Sequence, residues 1–160
     1  MNKYTALAGR IEQTLLDLER VVVRLERQMK MAAQTGDDAY LDAAALNLHG
    51  FYAGIERTFE DIAQTMKESL PSGPNWHQNL LLQMAASQPN LRPSVISTET
   101  RYCLDEYRQF RHIVRNVYTF NFRSSSLGVL AHDVRNCLTA VSNDLANFIQ
   151  FLTQLAADND

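Results

Sequence analysis

A group of arginines in the third quarter of the chain is the strongest chemical signal in the sequence. Five arginines stand against two carboxylates between Arg101 and Arg123, in a chain with a formal net charge of −3. Three of these arginines and a tyrosine follow the spacing i, i+3, i+7 and i+10, which places them on one face of a helix. These four residues are Arg108, Arg111, Arg115 and Tyr118. Because a guanidinium stays charged and bonds two oxygens at once, this face is suited to phosphate groups.

His112 lies beside this face and is of the type that exchanges protons near neutral pH. An arginine and a histidine suffice in principle to cleave RNA without a metal. The ribose 2′-hydroxyl attacks the adjacent phosphorus, the cation stabilises the charged transition state, and the imidazole moves protons. The alternative is a solvated basic face that pairs with acidic residues of a neighbouring helix. Spacing taken alone favours this second interpretation.

The elements that must position these groups are helices, because apolar residues recur every three or four positions along most of the chain. Four long stripes run from Leu7 to Met29, from Leu41 to Met66, from Cys103 to Val117 and from Leu130 to Leu155. A shorter helix is predicted from about Trp76 to Met84. Long helices joined by short loops pack as antiparallel neighbours. The sequence therefore predicts an all-α, up-down antiparallel bundle of about five helices, with residues 1–160 as one domain.

Breaks in the periodic pattern predict where these helices end. Gly36 is expected to stop the first helix, and the two prolines of the loop from Gln88 to Ile96 prevent that loop from being helical throughout. Ser97 or Thr98 is expected to cap the fourth helix. Two further expectations concern pairs of residues: a capping box at Asn75 and Gln78, and close helix packing at Gly50 and Gly54.

The remaining histidines and carboxylates are assigned structural roles. His49 is expected to be packed in the core, and His77 to serve capping or packing near the start of the third helix. Glu56 and Asp61 are most simply surface charges, with pairing to Arg108 or Arg115 across a dimer as the alternative. The histidines lack metal-ligand spacing and the chain has no glycine-rich phosphate loop, so no metal or other cofactor is expected.

The two cysteines and the hydropathy of the chain indicate the cellular compartment of the protein. Cys103 and Cys137 lie in predicted helices without a CxxC neighbour, so we expect buried free thiols in a reducing compartment. No apolar run is long enough for a signal peptide or a transmembrane helix. These features predict a cytoplasmic protein that does not contact a membrane.

The run RHIVRNVYTF, from Arg111 to Phe120, resembles the signature of HEPN domains, in which an arginine is followed four to six residues later by a histidine. The HepT-like branch extends this signature to Arg-x4-His-x-Tyr. Arg111 matches the arginine, His112 the polar residue after it, and Tyr118 the tyrosine. The histidine position of the family falls on Asn116, and an amide cannot act as a general acid or base.

Three longer segments also resemble one HepT-like subgroup, and the resemblance covers the chain from about Leu41 onward. These segments are LNLHGFYAGIERTFEDIA, LPSGPNWHQNLL and FRHIVRNVYTFNF. The resemblance implies a homodimer in which two motif helices form one composite cleft. It also implies a small, MntA-like nucleotidyltransferase antitoxin as partner, which transfers AMP to the motif tyrosine and silences the toxin. Tyr118 is the matching residue.

Three hypotheses about function follow. The first is a metal-independent endoribonuclease toxin, in which Arg108, Arg111 and Arg115 bind RNA phosphates and Arg111, His112 and Asn116 form the catalytic set. The second is a HEPN partner protein of a nucleotidyltransferase, with weak or no nuclease activity. The third is a helical interaction module unrelated to RNA. Asn116 counts against the first hypothesis, and the arginine-rich face counts against the third.

Overall fold

The computed structural model describes residues 2–116 and 124–159, and for residues 112–116 and 124–126 it describes the backbone alone. Five helices make up this part of the chain: α1 (Lys3–Thr35), α2 (Ala39–Thr65), α3 (Trp76–Ala85), α4 (Thr98–Asn116) and α5 (Ser124–Asp158). Within the same residues there is no β-strand, only an isolated bridge between Gln88 and Arg92. The prediction of an all-α bundle of about five helices is confirmed. No helix in the described ranges has an apolar stretch long enough to cross a bilayer.

Helix α2 is the centre of the bundle and packs against all four other helices. Tyr52, Ile55, Phe59 and Ile62 are at most 1% exposed along it, as the predicted stripe requires. A helix that contacts neighbours on several sides must be apolar around most of its circumference. Glu56 is the exception, because it is a carboxylate in this central helix and is only 4% exposed. A buried charge of this kind must be paired.

The helix ends follow the sequence in part. Gly36 ends α1 in the left-handed conformation with φ of 69°, and its N–H donates to the Ala32 carbonyl, as predicted. Ser97 caps α4, because its Oγ accepts from the Thr100 N–H at 3.1 Å. The predicted capping box at Asn75 is wrong: Asn75 makes no side-chain cap bond. Its φ of −104° and ψ of 20° lie outside the extended region in which a cap side chain reaches the first turn.

Only one of the two glycines of α2 permits close helix packing. A Cβ at Gly54 would lie 3.2 Å from the Leu18 Cδ2 atom of α1, so the absence of a side chain lets the two helices approach. A Cβ at Gly50 would meet no atom within 4 Å. The prediction of close packing is confirmed at Gly54 and is wrong at Gly50.

A buried ion pair fixes the segment that follows α3. Arg92 and Glu68 form a two-pronged bond, with Nε to Oε2 at 2.6 Å and Nη2 to Oε1 at 2.7 Å. The other guanidinium N–H groups donate to the carbonyls of Gln83, Ala86 and Pro93 at 2.9 to 3.1 Å. The Arg92 side chain is 0% exposed and that of Glu68 is 4% exposed. All five donors of the guanidinium are therefore satisfied, and α3 is tied to the end of α2.

A disulfide joins α4 to α5, between Cys103 and Cys137. Their Cα atoms are 6.0 Å apart, although the two residues are separated by 34 positions in sequence. The expectation of free thiols is therefore wrong. It rested on the absence of a CxxC spacing, and local spacing carries no information about cysteines that face each other from two packed helices. Next to this bond, the Tyr107 hydroxyl donates to the Leu130 carbonyl at 2.7 Å and ties the same two helices together.

We expect Arg92→Met to lower the free energy of unfolding by about 3–5 kcal/mol, because it leaves the Glu68 carboxylate buried without a partner. Urea denaturation followed by circular dichroism measures this loss. The control is Arg10→Met. Arg10 pairs with Asp61 on the surface and its side chain is 52% exposed, so its loss should cost less than about 1 kcal/mol. Equal losses in the two variants would contradict the assignment of Arg92 as a buried anchor.

We expect the Cys103→Ala, Cys137→Ala double variant to be less stable than the unmodified protein by about 2–4 kcal/mol, because the closed loop no longer restricts the unfolded chain. Denaturation with and without dithiothreitol measures the difference. Reductant should destabilise the unmodified protein and leave the double variant unchanged. A reductant-insensitive unmodified protein would show that the disulfide does not form.

Candidate functional site

Arg111 leaves the α4 surface and inserts between α2 and α3, where it contacts three polar side chains. Its Nη1 donates to Glu56 Oε1 at 3.3 Å and its Nε donates to His49 Nε2 at 3.3 Å. The same Nη1 lies 2.9 Å from His77 Nδ1 and 3.3 Å from His77 Nε2. We call these four residues, Arg111, Glu56, His77 and His49, the arginine cluster. It joins α4 to α2 and α3.

Glu56 is the innermost and most buried residue of the arginine cluster. Its side chain is 5% exposed, whereas those of Arg111 and His77 are 18% and 22% exposed. The expectation that Glu56 is a surface charge, paired if at all across a dimer, is therefore wrong. The carboxylate is compensated within the chain by Arg111 and by His77 Nδ1, which lies 2.7 Å from Oε2. The cluster is thus layered, with the carboxylate inside and the guanidinium and imidazole toward solvent.

The two histidines of the cluster are held in different ways. His77 is the second residue of α3, and its ring stacks on Trp76 with 3.6 Å between ring centroids. His49, one turn before the middle of α2, is half-buried and accepts from Arg111 through Nε2. The prediction that His77 serves capping or packing is therefore incomplete, because its ring also lies within hydrogen-bond distance of Glu56. His49 is half-buried rather than packed in the core as expected.

The other predicted phosphate-binding residues stand apart from the arginine cluster or outside the description. Arg108 is 20% exposed and its Nε donates to Asp105 on the same helix at 2.7 Å. The side chains of His112, Arg115 and Asn116 lie outside the described residues, and so does Tyr118 altogether. The predicted common face of Arg108, Arg111, Arg115 and Tyr118 therefore remains a prediction.

Near the cluster, the Asp105 carboxyl and the Tyr52 phenol have shifted pKa values. Burial raises the pKa of Asp105, but hydrogen bonds from Arg108 and Gln109 outweigh that effect and hold its pKa below the usual value. Burial, together with the Glu56 charge, raises the pKa of Tyr52 well above that of a free tyrosine. Tyr52 thus adds no charge beside Glu56 at neutral pH.

Among the described residues, no three His, Cys, Asp or Glu side chains lie close enough together to hold a metal ion. A groove between α1 and α2, lined by Arg10, Leu18, Gly54, Arg57 and Asp61 among others, includes no member of the arginine cluster. The cluster is therefore the place in the described structure where a guanidinium, a carboxylate and imidazoles meet. It is the candidate site.

One sequence signal could have revealed part of the cluster. His49 and Glu56 are seven residues apart on α2, so they lie on the same face two helical turns from each other. A histidine and a carboxylate in line beside the apolar stripe of the helix indicate a shared polar partner. The identity of that partner, 55 positions beyond Glu56, is not visible without the fold.

A family model described as HepT-like protein matches residues 43–152 of the chain. The match covers more than half of the sequence and includes all four residues of the arginine cluster. The helical bundle is thus a HEPN-type domain. The chain belongs to the HepT-like family of toxin–antitoxin components. Neither a curated protein nor a solved structure matches it significantly.

Proposed function

We propose that the protein is a metal-independent endoribonuclease and acts as the toxin of a toxin–antitoxin pair. The observation that carries this proposal is the placement of Arg111, whose guanidinium is fixed between a buried carboxylate and two imidazoles yet keeps 18% of its side-chain surface exposed. A preorganised cation of this kind stabilises the charge that develops on phosphorus oxygens during cleavage. Family membership supports the same reaction.

In this proposal the ribose 2′-hydroxyl of the substrate is the nucleophile and Arg111 stabilises the transition state. Arg108 and Arg115 contribute phosphate binding along the same helix, because each guanidinium adds a counter-charge for the RNA backbone. His112 is the sequence-based candidate for proton transfer, and Asn116 takes the place of the family histidine. An amide in that place can hold a phosphate oxygen or a water by hydrogen bonds but cannot carry the proton.

The proposed assembly is a homodimer that binds a small nucleotidyltransferase antitoxin. Two α4 helices brought together by a twofold axis would form one cleft with two guanidinium groups. The antitoxin would silence the toxin by adding AMP to Tyr118. An adenylyl phosphate near Arg111 and Arg115 would compete with RNA for the same cations. Support for this assembly comes from the family resemblance of the motif.

A second candidate function is a partner protein of the nucleotidyltransferase without nuclease activity. Two observations favour it: Asn116 stands where the family has its histidine, and the Arg111 charge is already neutralised by Glu56. In that case α4 would serve as a docking and modification surface.

We expect purified protein, freed of its partner, to cleave RNA in the presence of EDTA and to leave 2′,3′-cyclic phosphate ends, because the attacking group is the substrate's own hydroxyl. Arg111→Ala should cost about 2–4 kcal/mol of transition-state stabilisation, by analogy with the loss of one oxyanion donor. Arg111→Lys retains a charge for Glu56 but lacks the planar fork, so it should fold and still be strongly impaired. Cleavage rates on a fluorescent oligonucleotide and end-group analysis provide the measurements.

Arg10→Ala is the matched control for these variants. Arg10 is a surface arginine on α1 that pairs with Asp61 away from the arginine cluster, so its loss should leave the rate unchanged. Metal-dependent cleavage would contradict the proposal of a metal-independent nuclease, and equal rates for Arg111→Lys and the unmodified protein would contradict the role given to Arg111. Absence of cleavage by the unmodified protein would leave the second candidate function.

We expect incubation with ATP and the cognate nucleotidyltransferase to add AMP to Tyr118, as a mass increase of one adenylyl group on the peptide that contains it. Tyr118→Phe should abolish the addition, because the phenolic oxygen is the acceptor. Tyr102→Phe is the control, since Tyr102 is 61% exposed and stands on the same helix segment as Arg101. Modification confined to Tyr102 would refute the assignment of Tyr118.

A further inference from the structure

We infer that His77, held by Glu56, is the proton-transfer residue of this site and does the work that Asn116 cannot do. The inference rests on the proposed nuclease function and deepens it. No spacing in the sequence associates His77 with the motif helix, since it lies on α3, 34 positions before Arg111. The fold nevertheless places its ring against the Arg111 guanidinium.

The exposure of the side chains sorts the cluster into an inner and an outer layer. Arg111 and His77 retain about a fifth of their surface, at 18% and 22%, while Glu56 retains 5%. A phosphodiester approaching from solvent would therefore reach the guanidinium and the imidazole first. The carboxylate that would repel it lies behind them, and its charge is compensated by Arg111. This order of layers is the one required for an anionic substrate.

Glu56 determines which nitrogen of His77 can accept a proton. A carboxylate only accepts hydrogen bonds, so the 2.7 Å contact between Glu56 Oε2 and His77 Nδ1 assigns the ring proton to Nδ1. In the neutral ring, Nε2 then carries the lone pair, with Arg111 Nη1 3.3 Å away, and it acts as the base when the guanidinium turns to the phosphate oxygens. Trp76, stacked on the ring at 3.6 Å between centroids, restricts its rotation. Orientation by a carboxylate on one nitrogen and chemistry at the other is the arrangement of a general base.

Glu56 distinguishes His77 from His49 for this role. Both imidazoles can accept from Arg111 through Nε2 at 3.3 Å, but the 2.7 Å contact between Nδ1 and the Glu56 carboxylate orients the His77 ring. His49 is therefore a positioning residue for Arg111, and Glu56 is a positioning residue for His77.

The proposed step is transesterification. His77 Nε2 takes the proton of the ribose 2′-hydroxyl while the 2′-oxygen forms a bond to the adjacent phosphorus. The bond from phosphorus to the 5′-oxygen breaks, and that oxygen takes a proton from water. The products are a 2′,3′-cyclic phosphate and a 5′-hydroxyl, and the imidazolium returns its proton to solvent. Arg111 holds the non-bridging phosphate oxygens throughout.

The decisive experiment compares His77→Ala with His112→Ala and with His132→Ala, a control at an exposed position of α5. Cleavage of a defined oligonucleotide is followed from pH 5 to pH 9. We expect His77→Ala to lose about a hundredfold in rate or more. It should also lose the rise in rate with pH that the unmodified protein shows as the histidine becomes neutral. Added imidazole should restore part of the rate, because the small base fits the space left by the side chain.

A second variant keeps the test valid if the alanine substitution disturbs α3. His77→Gln retains a hydrogen bond to Glu56 but has no nitrogen that titrates, so it should be equally inactive and should not be rescued by imidazole. A rate that is independent of His77 but abolished by His112→Ala would overturn the inference and leave the nuclease function in place. An unmodified protein that cuts no RNA would overturn both.

The groups that face His77 must be included when its pH profile is interpreted. Glu56 faces it from α2, Arg111 from α4, and Trp76 from its own helix. His49, also on α2, contacts the same Arg111 guanidinium. Glu56→Gln removes the negative charge and keeps the size of the side chain. We expect it to slow cleavage, because a neutral amide does not compensate the charge that the ring gains when it takes the proton. An unchanged rate would show that Glu56 does not position His77.

Discussion

Arg92 and Glu68 are both charged and both nearly inaccessible, so each must be compensated by the other and by backbone carbonyls. That requirement fixes the segment after α3 against the end of α2, because the guanidinium has to reach Gln83 and Ala86 as well as Glu68. The orientation of α3 follows, and with it the position of His77. This anchor acts together with the buried side chains of Leu80, Leu81 and Met84, which pack α3 into the core.

The arginine cluster also contains a buried carboxylate that must be compensated, but its cation is partly exposed. Glu56 lies in α2, the helix that contacts all the others, and its charge is tolerated only because Arg111 and His77 reach it from two different elements. The cluster is therefore a condition for packing α4 and α3 onto α2 as well as a candidate for chemistry. Groups held by such a requirement are already ordered before any substrate arrives, which lowers the reorganisation needed in a transition state.

The sequence predicted the parts of the molecule that depend on local pattern. The apolar stripe of α2, the stop at Gly36 and the cap at Ser97 each follow from residues within a few positions of one another. The arginine-rich segment and its family resemblance were visible for the same reason, and the family match confirms the resemblance.

What the sequence did not predict depends on separations of tens of residues. Glu56 is 55 positions from Arg111, and Cys103 is 34 from Cys137. Periodicity left Glu56 as a surface charge beside the apolar stripe of α2 and could not show which cation would compensate it. His77 gave no signal because a histidine in the first turn of a helix is common and its importance comes from a neighbour on another helix.

The disulfide has a topological consequence for the segment that it encloses. Cys103 and Cys137 close a covalent ring that contains Arg108, Arg111 and Tyr118. A single peptide-bond break anywhere inside that ring would leave the two halves of the chain attached. A protease nick within the motif would therefore add only the mass of one water to the disulfide-linked chain. The nicked chain would migrate as one species until the bond was reduced.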